Sequence, residues 1–231
     1  MLYLDSATVS EAATAQALGW IAGITTNPKL MAGTGNPPLE QLSRLLEAFT
    51  AGPVFYQPMH LDRADLEVRH ALAIGEGRVV AKLPAQAAFL TLGKRLVDEG
   101  HPVAMTAVYS PAQAVVGAAI GAEWVIPYVD RAARLRPGAS IVASFRAALA
   151  PLGLPTRILA ASIKSPEQAV AAFSDGAAAI TAPLPVLQAM AHDPLLGDEE
   201  RDGQHDERDA GIVHRQGRER EEGEDQADAA H

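Results

Sequence analysis

The sequence predicts a single parallel (β/α)₈ barrel of the TIM-barrel class with a charged C-terminal tail, and three observations carry that reading. Eight short apolar runs alternate with eight longer segments of helical pattern, and such alternation builds a parallel sheet with helices outside it. A polar residue closes each apolar run, at Asp5, Asn27, Gln57, Lys82, Thr106, Tyr128, Ser162 and Thr181, with about 25 residues per unit as in a compact barrel. After the first run stands Asp5-Ser6-Ala7, where a doubly wound open sheet would carry a glycine-rich phosphate loop.

The elements follow in order. Residues 2–4 form the first strand, and residues 6–18 an Ala-rich helix with Thr8 or Ser10 as cap. Residues 21–24 are the second strand, followed by the turn Thr25-Thr26-Asn27-Pro28. The next helix opens after Pro37-Pro38, gathers Leu39, Leu42, Leu45, Leu46 and Phe49 on one face, and ends at Gly52-Pro53. Strand 54–56 leads to Gln57, then residues 62–74 carry Leu66, Arg69 and Leu72 at helical spacing. Strand 79–83 ends at Pro84, helix 86–97 follows, and Gly100-His101-Pro102 turns into strand 103–106. Ser110 as cap and Pro111 at the first position open helix 111–120. Strand 124–128 passes into a polar loop with Arg131, Arg134 and Arg136, then into helix 140–149. Strand 157–161, a helix capped by Ser165-Pro166 and strand 177–181 complete the eight units.

Composition narrows the function. The chain has 231 residues, 48% of them hydrophobic, enough for a substantial core. Without cysteine there is no disulfide, thiolate metal site or cysteine nucleophile. Residues 197–231 hold 13 acidic residues against 5 arginines, a net −8, which leaves residues 1–196 at 15 acids against 14 bases, a net −1. A near-neutral body without a basic stripe speaks against nucleic acid as a partner. No apolar run approaches the ~18 residues of a membrane span, and residues 1–5 lack the features of a signal peptide, so the expected location is cytoplasmic. The domain reading is a catalytic barrel over 1–196 and an acidic, low-complexity tail over 197–231, expected to be disordered or weakly helical and to do no chemistry.

Of the four lysines, Lys29, Lys94 and Lys164 lie among turn or surface-type neighbours, whereas Lys82 interrupts the apolar run Val79-Val80-Ala81-Lys82-Leu83. Burial disfavours the charged form of an amine and lowers its pKa, which frees it to attack a carbonyl and form a Schiff base. The plainer alternative is a strand-end lysine that reaches water.

Taken together, Leu2-Tyr3-Leu4-Asp5, Gly23-Ile24-Thr25-Thr26-Asn27-Pro28, Val80-Ala81-Lys82-Leu83-Pro84, Thr106-Ala107-Val108-Tyr109, Pro127-Tyr128-Val129-Asp130-Arg131 and Ala160-Ala161-Ser162-Ile163-Lys164 resemble the small transaldolase family, and within it the fructose-6-phosphate aldolase branch. The resemblance runs from Met1 to about Leu195. It implies a metal-free, cofactor-free class I mechanism with Lys82 as the Schiff-base nucleophile on a dihydroxyacetone-type donor. By the same resemblance, Asp5 and Asn27 hold the donor's hydroxyls and assist proton transfer, with Thr25 as the companion of Asn27 in the substrate-binding loop. Gln57, Thr106 and Tyr128 position a catalytic water, with the Tyr128 phenol expected to be lowered from its usual value by a neighbouring Lys82 or Arg131 cation, and Arg131, Ser162 and Lys164 receive the acceptor's phosphate. Two cations and a hydroxyl suit that last task, because charge-assisted hydrogen bonds grip phosphate.

The chain departs from the family pattern at Lys29, where a small hydroxyl residue is usual, at Tyr56 and Pro58 around Gln57, and at Ala85-Gln86. The resemblance implies a homo-oligomer. The family's C-terminal helix, whose aromatic residues pack on a neighbouring subunit in a ring-shaped decamer, is not recognisable in 197–231. The implied activity is cleavage of fructose 6-phosphate to dihydroxyacetone and glyceraldehyde 3-phosphate, with two alternatives: transfer of the dihydroxyacetone unit between sugar phosphates, and a non-catalytic phosphosugar-binding barrel.

Overall fold

The computed structural model describes residues 1–192. Its strands are β1 (Leu2–Asp5), β2 (Gly23–Thr25), β3 (Val54–Tyr56), β4 (Val79–Pro84), β5 (Val103–Val108), β6 (Trp124–Pro127), β7 (Arg157–Ala160) and β8 (Ala179–Ala182). All pair in parallel and in chain order, and Leu2 opposite Ile180 closes β1 on β8 into a barrel. The fold is therefore the (β/α)₈ barrel that the alternation predicts. The barrel unit runs from Met1 to Gln188. The boundary at 196/197 and the tail lie outside the described residues.

Strand geometry places the site. Successive side chains point to opposite faces of a strand, so the residues that fill the barrel fix which ones line its mouth two positions later. Tyr3, Phe55, Val80, Ala104 and Trp124 pack inside as one cluster with Leu159 and Ala179. The same parity then turns Asp5, Gln57, Lys82, Thr106 and Thr181 inward near the C-terminal ends, where barrels carry their chemistry. Tyr3, Phe55 and Trp124 meet edge-on or tilted, with ring centroids 5.6, 6.0 and 6.5 Å apart. Arg157 stacks over Trp124 at 3.9 Å and pairs with Glu123. This aromatic floor needs Gly23: a Cβ there would stand 2.7 Å from both the Tyr3 ring and the Pro53 carbonyl.

The helices are α1 (Val9–Leu18), α2 (Pro28–Ala32), α3 (Pro38–Ala48), α4 (Ala64–Gly75), α5 (Ala87–Asp98), α6 (Pro111–Ala119), α7 (Val129–Leu135), α8 (Ile141–Leu149), α9 (Pro166–Ser174) and α10 (Leu184–Met190). Among the described residues none is long and apolar enough to cross a membrane. Ser110, Ser140 and Ser165 each accept the third following backbone N–H and cap α6, α8 and α9.

Several expectations need correction. The polar loop after β6 is instead the helix α7, which buries only Ala132 and is braced by Asp130 and Arg134 at 2.8 Å. A helix with one small buried residue leaves little periodic signal. The short α2 went unread for a similar reason: five residues are less than two turns. Helix α1 begins at Val9 rather than residue 6, because the Ser6 amide bonds the Thr25 carbonyl and its hydroxyl accepts the Thr8 amide. Thr8 occupies the cap without a side-chain bond. In α4 the buried face is Ala64, Val68, Ala71 and Leu72, while Leu66 is exposed. Tyr128 lies just past β6 and joins Ala161 in an isolated bridge.

Candidate active site

A cavity of about 470 Å³ opens at the C-terminal ends of the strands. Of the ten residues singled out from the sequence, eight line it: Asp5, Asn27, Gln57, Lys82, Tyr128, Arg131, Ser162 and Lys164. The other two, Thr25 and Thr106, are fully buried and reach the site through hydrogen bonds to Asp5 and Tyr128.

Lys82 is 3% exposed on a strand whose every residue is buried. Its Nζ donates to the Thr26 carbonyl at 2.9 Å. Burial pushes its pKa below the ordinary lysine value, and the nearby Asp5 charge opposes that shift in part. The plainer reading of a lysine that reaches water is therefore not met. The amine sits in the barrel wall, open to the cavity, with a reduced hold on its proton.

Around it the polar groups fix one another. Thr25 Oγ1 donates to Asp5 Oδ1 at 3.0 Å and lies 2.7 Å from Thr181 Oγ1. A hydroxyl carries one proton, so Thr181 donates to Thr25, which donates to Asp5. The Asn27 side chain caps α2 by accepting the Leu30 amide at 3.1 Å, which leaves its NH₂ for a ligand. Gln57 Oε1 is buried without a partner among the described residues. A buried, unpaired carbonyl oxygen beside an open cavity is well placed to accept from a bound water or substrate hydroxyl.

Thr106 Oγ1 donates to the Tyr128 hydroxyl at 3.3 Å. Tyr109 packs edge-on against Tyr128, with centroids 5.8 Å apart, and its hydroxyl accepts from Arg131 at 3.2 Å. The Arg131 guanidinium lies 5.6 Å from the Tyr128 ring centroid. Burial raises the Tyr128 pKa, and the contributions of Thr106 and Arg131 that would lower it are smaller. This corrects the expectation that nearby cations bring the phenol down: it stays protonated at neutral pH and is a donor.

Two backbone features had no sequence signal. Pairing between β5 and β6 shifts between Thr106 and Val108, and Ala107 adopts φ +54° at this bulge. Ser162 adopts φ +63°. Non-glycine residues seldom take such angles, and bulges next to active sites re-aim side chains.

Sequence reasoning also missed Lys29. It lines the cavity together with Pro28 and Ala161, so Lys29, Lys82 and Lys164, three of the four lysines, share one site. Only Lys94 is a plain surface cation, paired with Asp98. Of the remaining departures, Tyr56 is buried with its hydroxyl unpartnered among the described residues, and burial pushes its phenol up to about 12. Gln86 caps α5 without a side-chain bond. A smaller, apolar cavity of about 110 Å³ beside α7, lined by Tyr109, Leu135 and Ile141, holds no buried amine or carboxyl. Among the described residues no three His, Cys, Asp or Glu side chains gather as a metal site would need.

Fold and site together define a class: a parallel α/β barrel that presents a buried amine to an open cavity rimmed by cations. The comparisons narrow it. The family model for transaldolase/fructose-6-phosphate aldolase matches residues 2–222. A probable transaldolase of Hydrogenobaculum sp. (strain Y04AAS1) is 33% identical over 196 residues, which covers 84% of this chain and 89% of that protein. The chain belongs to the transaldolase/fructose-6-phosphate aldolase family. The family match extends past Leu195, where the motif-based resemblance stops, to residue 222.

Proposed function

We propose that the protein is a class I aldolase that cleaves fructose 6-phosphate reversibly to dihydroxyacetone and glyceraldehyde 3-phosphate. The observation that carries this reading is Lys82: a buried amine of lowered pKa at the wall of the cavity, bonded only to a backbone carbonyl.

The steps follow from the groups present. Lys82 Nζ adds to the C2 carbonyl of the sugar to give a carbinolamine, which loses water to form a protonated Schiff base. Asp5, among the described residues the one carboxyl that lines the cavity, accepts the C4 hydroxyl proton. The C3–C4 bond breaks, its electron pair moves into the Schiff base to form the enamine, and glyceraldehyde 3-phosphate leaves. Protonation at C3 and addition of water then release dihydroxyacetone and restore the amine. Gln57 cannot exchange a proton, so it orients the water, and Tyr128 supplies the proton. Arg131, Ser162 and Lys164, on the β6 and β7 side, receive the phosphate.

The relative named a probable transaldolase favours a second reading, in which the enamine waits for an aldehyde instead of a proton. One experiment tests the common chemistry. Borohydride added to protein and dihydroxyacetone should leave a reduced three-carbon adduct on Lys82, found by peptide mass spectrometry. Tight sugar-phosphate binding without an adduct would point instead to a non-catalytic barrel. Adduct formation together with transfer to erythrose 4-phosphate far faster than release of dihydroxyacetone would assign the chain to the transferases.

A further inference from the structure

The cavity is more cationic than a monophosphate substrate requires. Lys29, Arg131 and Lys164 line it, and among the described residues Asp5 is the only carboxyl on its wall. Arg131 and Lys164 follow β6 and β7, whereas Lys29 follows β2. In a barrel closed in the order β1 to β8, β2 and β6 face each other across the mouth. Eight strands about 4.8 Å apart and tilted by about 36° make that mouth about 15 Å wide between backbones. Lys82 on β4 stands midway between these two rims.

Nothing in the fold accounts for a cation at position 29. Among the described residues Lys29 makes no ion pair, although Lys94 and most of the arginines do. Its backbone is nonetheless fixed. Asn27 and Pro28 start α2, the Asn27 side chain holds the Leu30 amide, and the Lys29 carbonyl accepts the Gly33 amide. A side chain anchored at its base and unpaired at its tip lines a cavity whose opposite rim carries the two cations proposed to take the first phosphate.

We propose that Lys29 binds a phosphate on the donor half of the substrate, so that the site takes ketones phosphorylated at C1, with dihydroxyacetone phosphate as the simplest. The direction follows from Lys82. When its amine is bonded to C2 and the distal phosphate lies at Arg131 and Lys164, the C1 end of the substrate points away from them, toward Asn27 and Lys29. The inference rests on the reading of Lys82 as the amine that bonds the donor.

The test compares dihydroxyacetone phosphate with dihydroxyacetone as donors to glyceraldehyde 3-phosphate, in the wild type and in Lys29→Gln. The substitution should lower kcat/KM for the phosphorylated donor ten- to hundredfold more than for the free one, the scale of one charge-assisted bond. A ratio that changes less than twofold overturns the proposal. A binding arm reads the same contact without catalysis. Calorimetric titration of dihydroxyacetone phosphate into Lys82→Met should show tenfold or weaker binding once Lys29→Gln is added, and equal affinities overturn the assignment. Failure of dihydroxyacetone to leave a borohydride adduct on wild-type Lys82 is a separate result. It removes the Schiff-base reading, and with it the assignment of Lys29 to the donor end.

Discussion

Replacing Lys82 by Met should abolish turnover and, more tellingly, change how stability depends on pH. Met nearly conserves volume, so the packing change is small. Two larger effects oppose each other. Loss of the Nζ bond leaves the Thr26 carbonyl short of a donor, which costs about 1 to 3 kcal/mol. Removal of the buried amine relieves a penalty that the wild type carries at neutral pH. Burial lowers the Lys82 pKa from 10.5, so below pH 10.5 the unfolded chain binds this proton more tightly than the folded one. Stability then rises with pH in that window, and the penalty is fully present below the folded pKa and fades as pH approaches 10.5. Each tenfold loss of proton affinity is worth about 1.4 kcal/mol. At pH 7 the two effects oppose each other, and any net change reads out as about 2 to 4 °C of melting temperature per kcal/mol. Denaturant titrations at pH 6 to 10 should show the variant losing ground steadily to the wild type as pH rises. A stability gap independent of pH would refute a buried amine of lowered pKa, whatever the activity.

Arg131→Ala should raise KM for glyceraldehyde 3-phosphate ten- to hundredfold more than for glyceraldehyde, read from initial rates of aldol addition; equal effects would mean that Arg131 does not bind phosphate. Thr25→Val keeps the shape of a fully buried side chain but removes its bonds to Asp5 and Thr181, and should cost about 1 to 3 kcal/mol in urea unfolding and weaken donor binding; a neutral variant would show that the hydroxyl chain does not hold Asp5. Tyr128→Phe should slow cleavage of fructose 6-phosphate while Lys82 still traps dihydroxyacetone with borohydride, and undiminished cleavage would move the proton to another group. Gln57→Glu, which places a titrating carboxyl beside the amine, should raise transfer relative to release in a paired assay with erythrose 4-phosphate, and an unchanged ratio would count against water orientation by Gln57.

Most of the barrel was legible because its signals are local. Eight apolar runs and their breaks sit in the sequence itself, and strand parity carries Tyr3 to Asp5 and Val80 to Lys82 without knowledge of the third dimension. What escaped has few or long-range signals. Helix α7 buries a single alanine, and α2 is too short for periodicity. The positive φ at Ala107 and Ser162 is imposed by neighbouring strands and not by either residue's preference. Lys29 looked like a turn cation because nothing within α2 shows that the barrel opens beside it. The Tyr128 phenol was misjudged because a nearby cation can be inferred from the sequence, whereas the burial that outweighs it cannot.

The corrected Tyr128 changes the logic of the site. A lowered phenol would compete with Asp5 for the role of base. In the proposed mechanism a raised one leaves the two with separate tasks, a carboxyl group that accepts and a hydroxyl that donates. The fold fixes that separation: Thr25 and Thr181 hold Asp5 from β2 and β8, while Thr106 and the Tyr109 ring hold Tyr128 from the β5 side. Gln57, with no proton to exchange, follows β3 between β2 and β4, and in the proposed mechanism it orients the water. In the proposed mechanism the fate of the enamine turns on whether Tyr128 delivers a proton, through the water, before an aldehyde arrives. On that proposal, cleavage and transfer would differ in the timing of one proton.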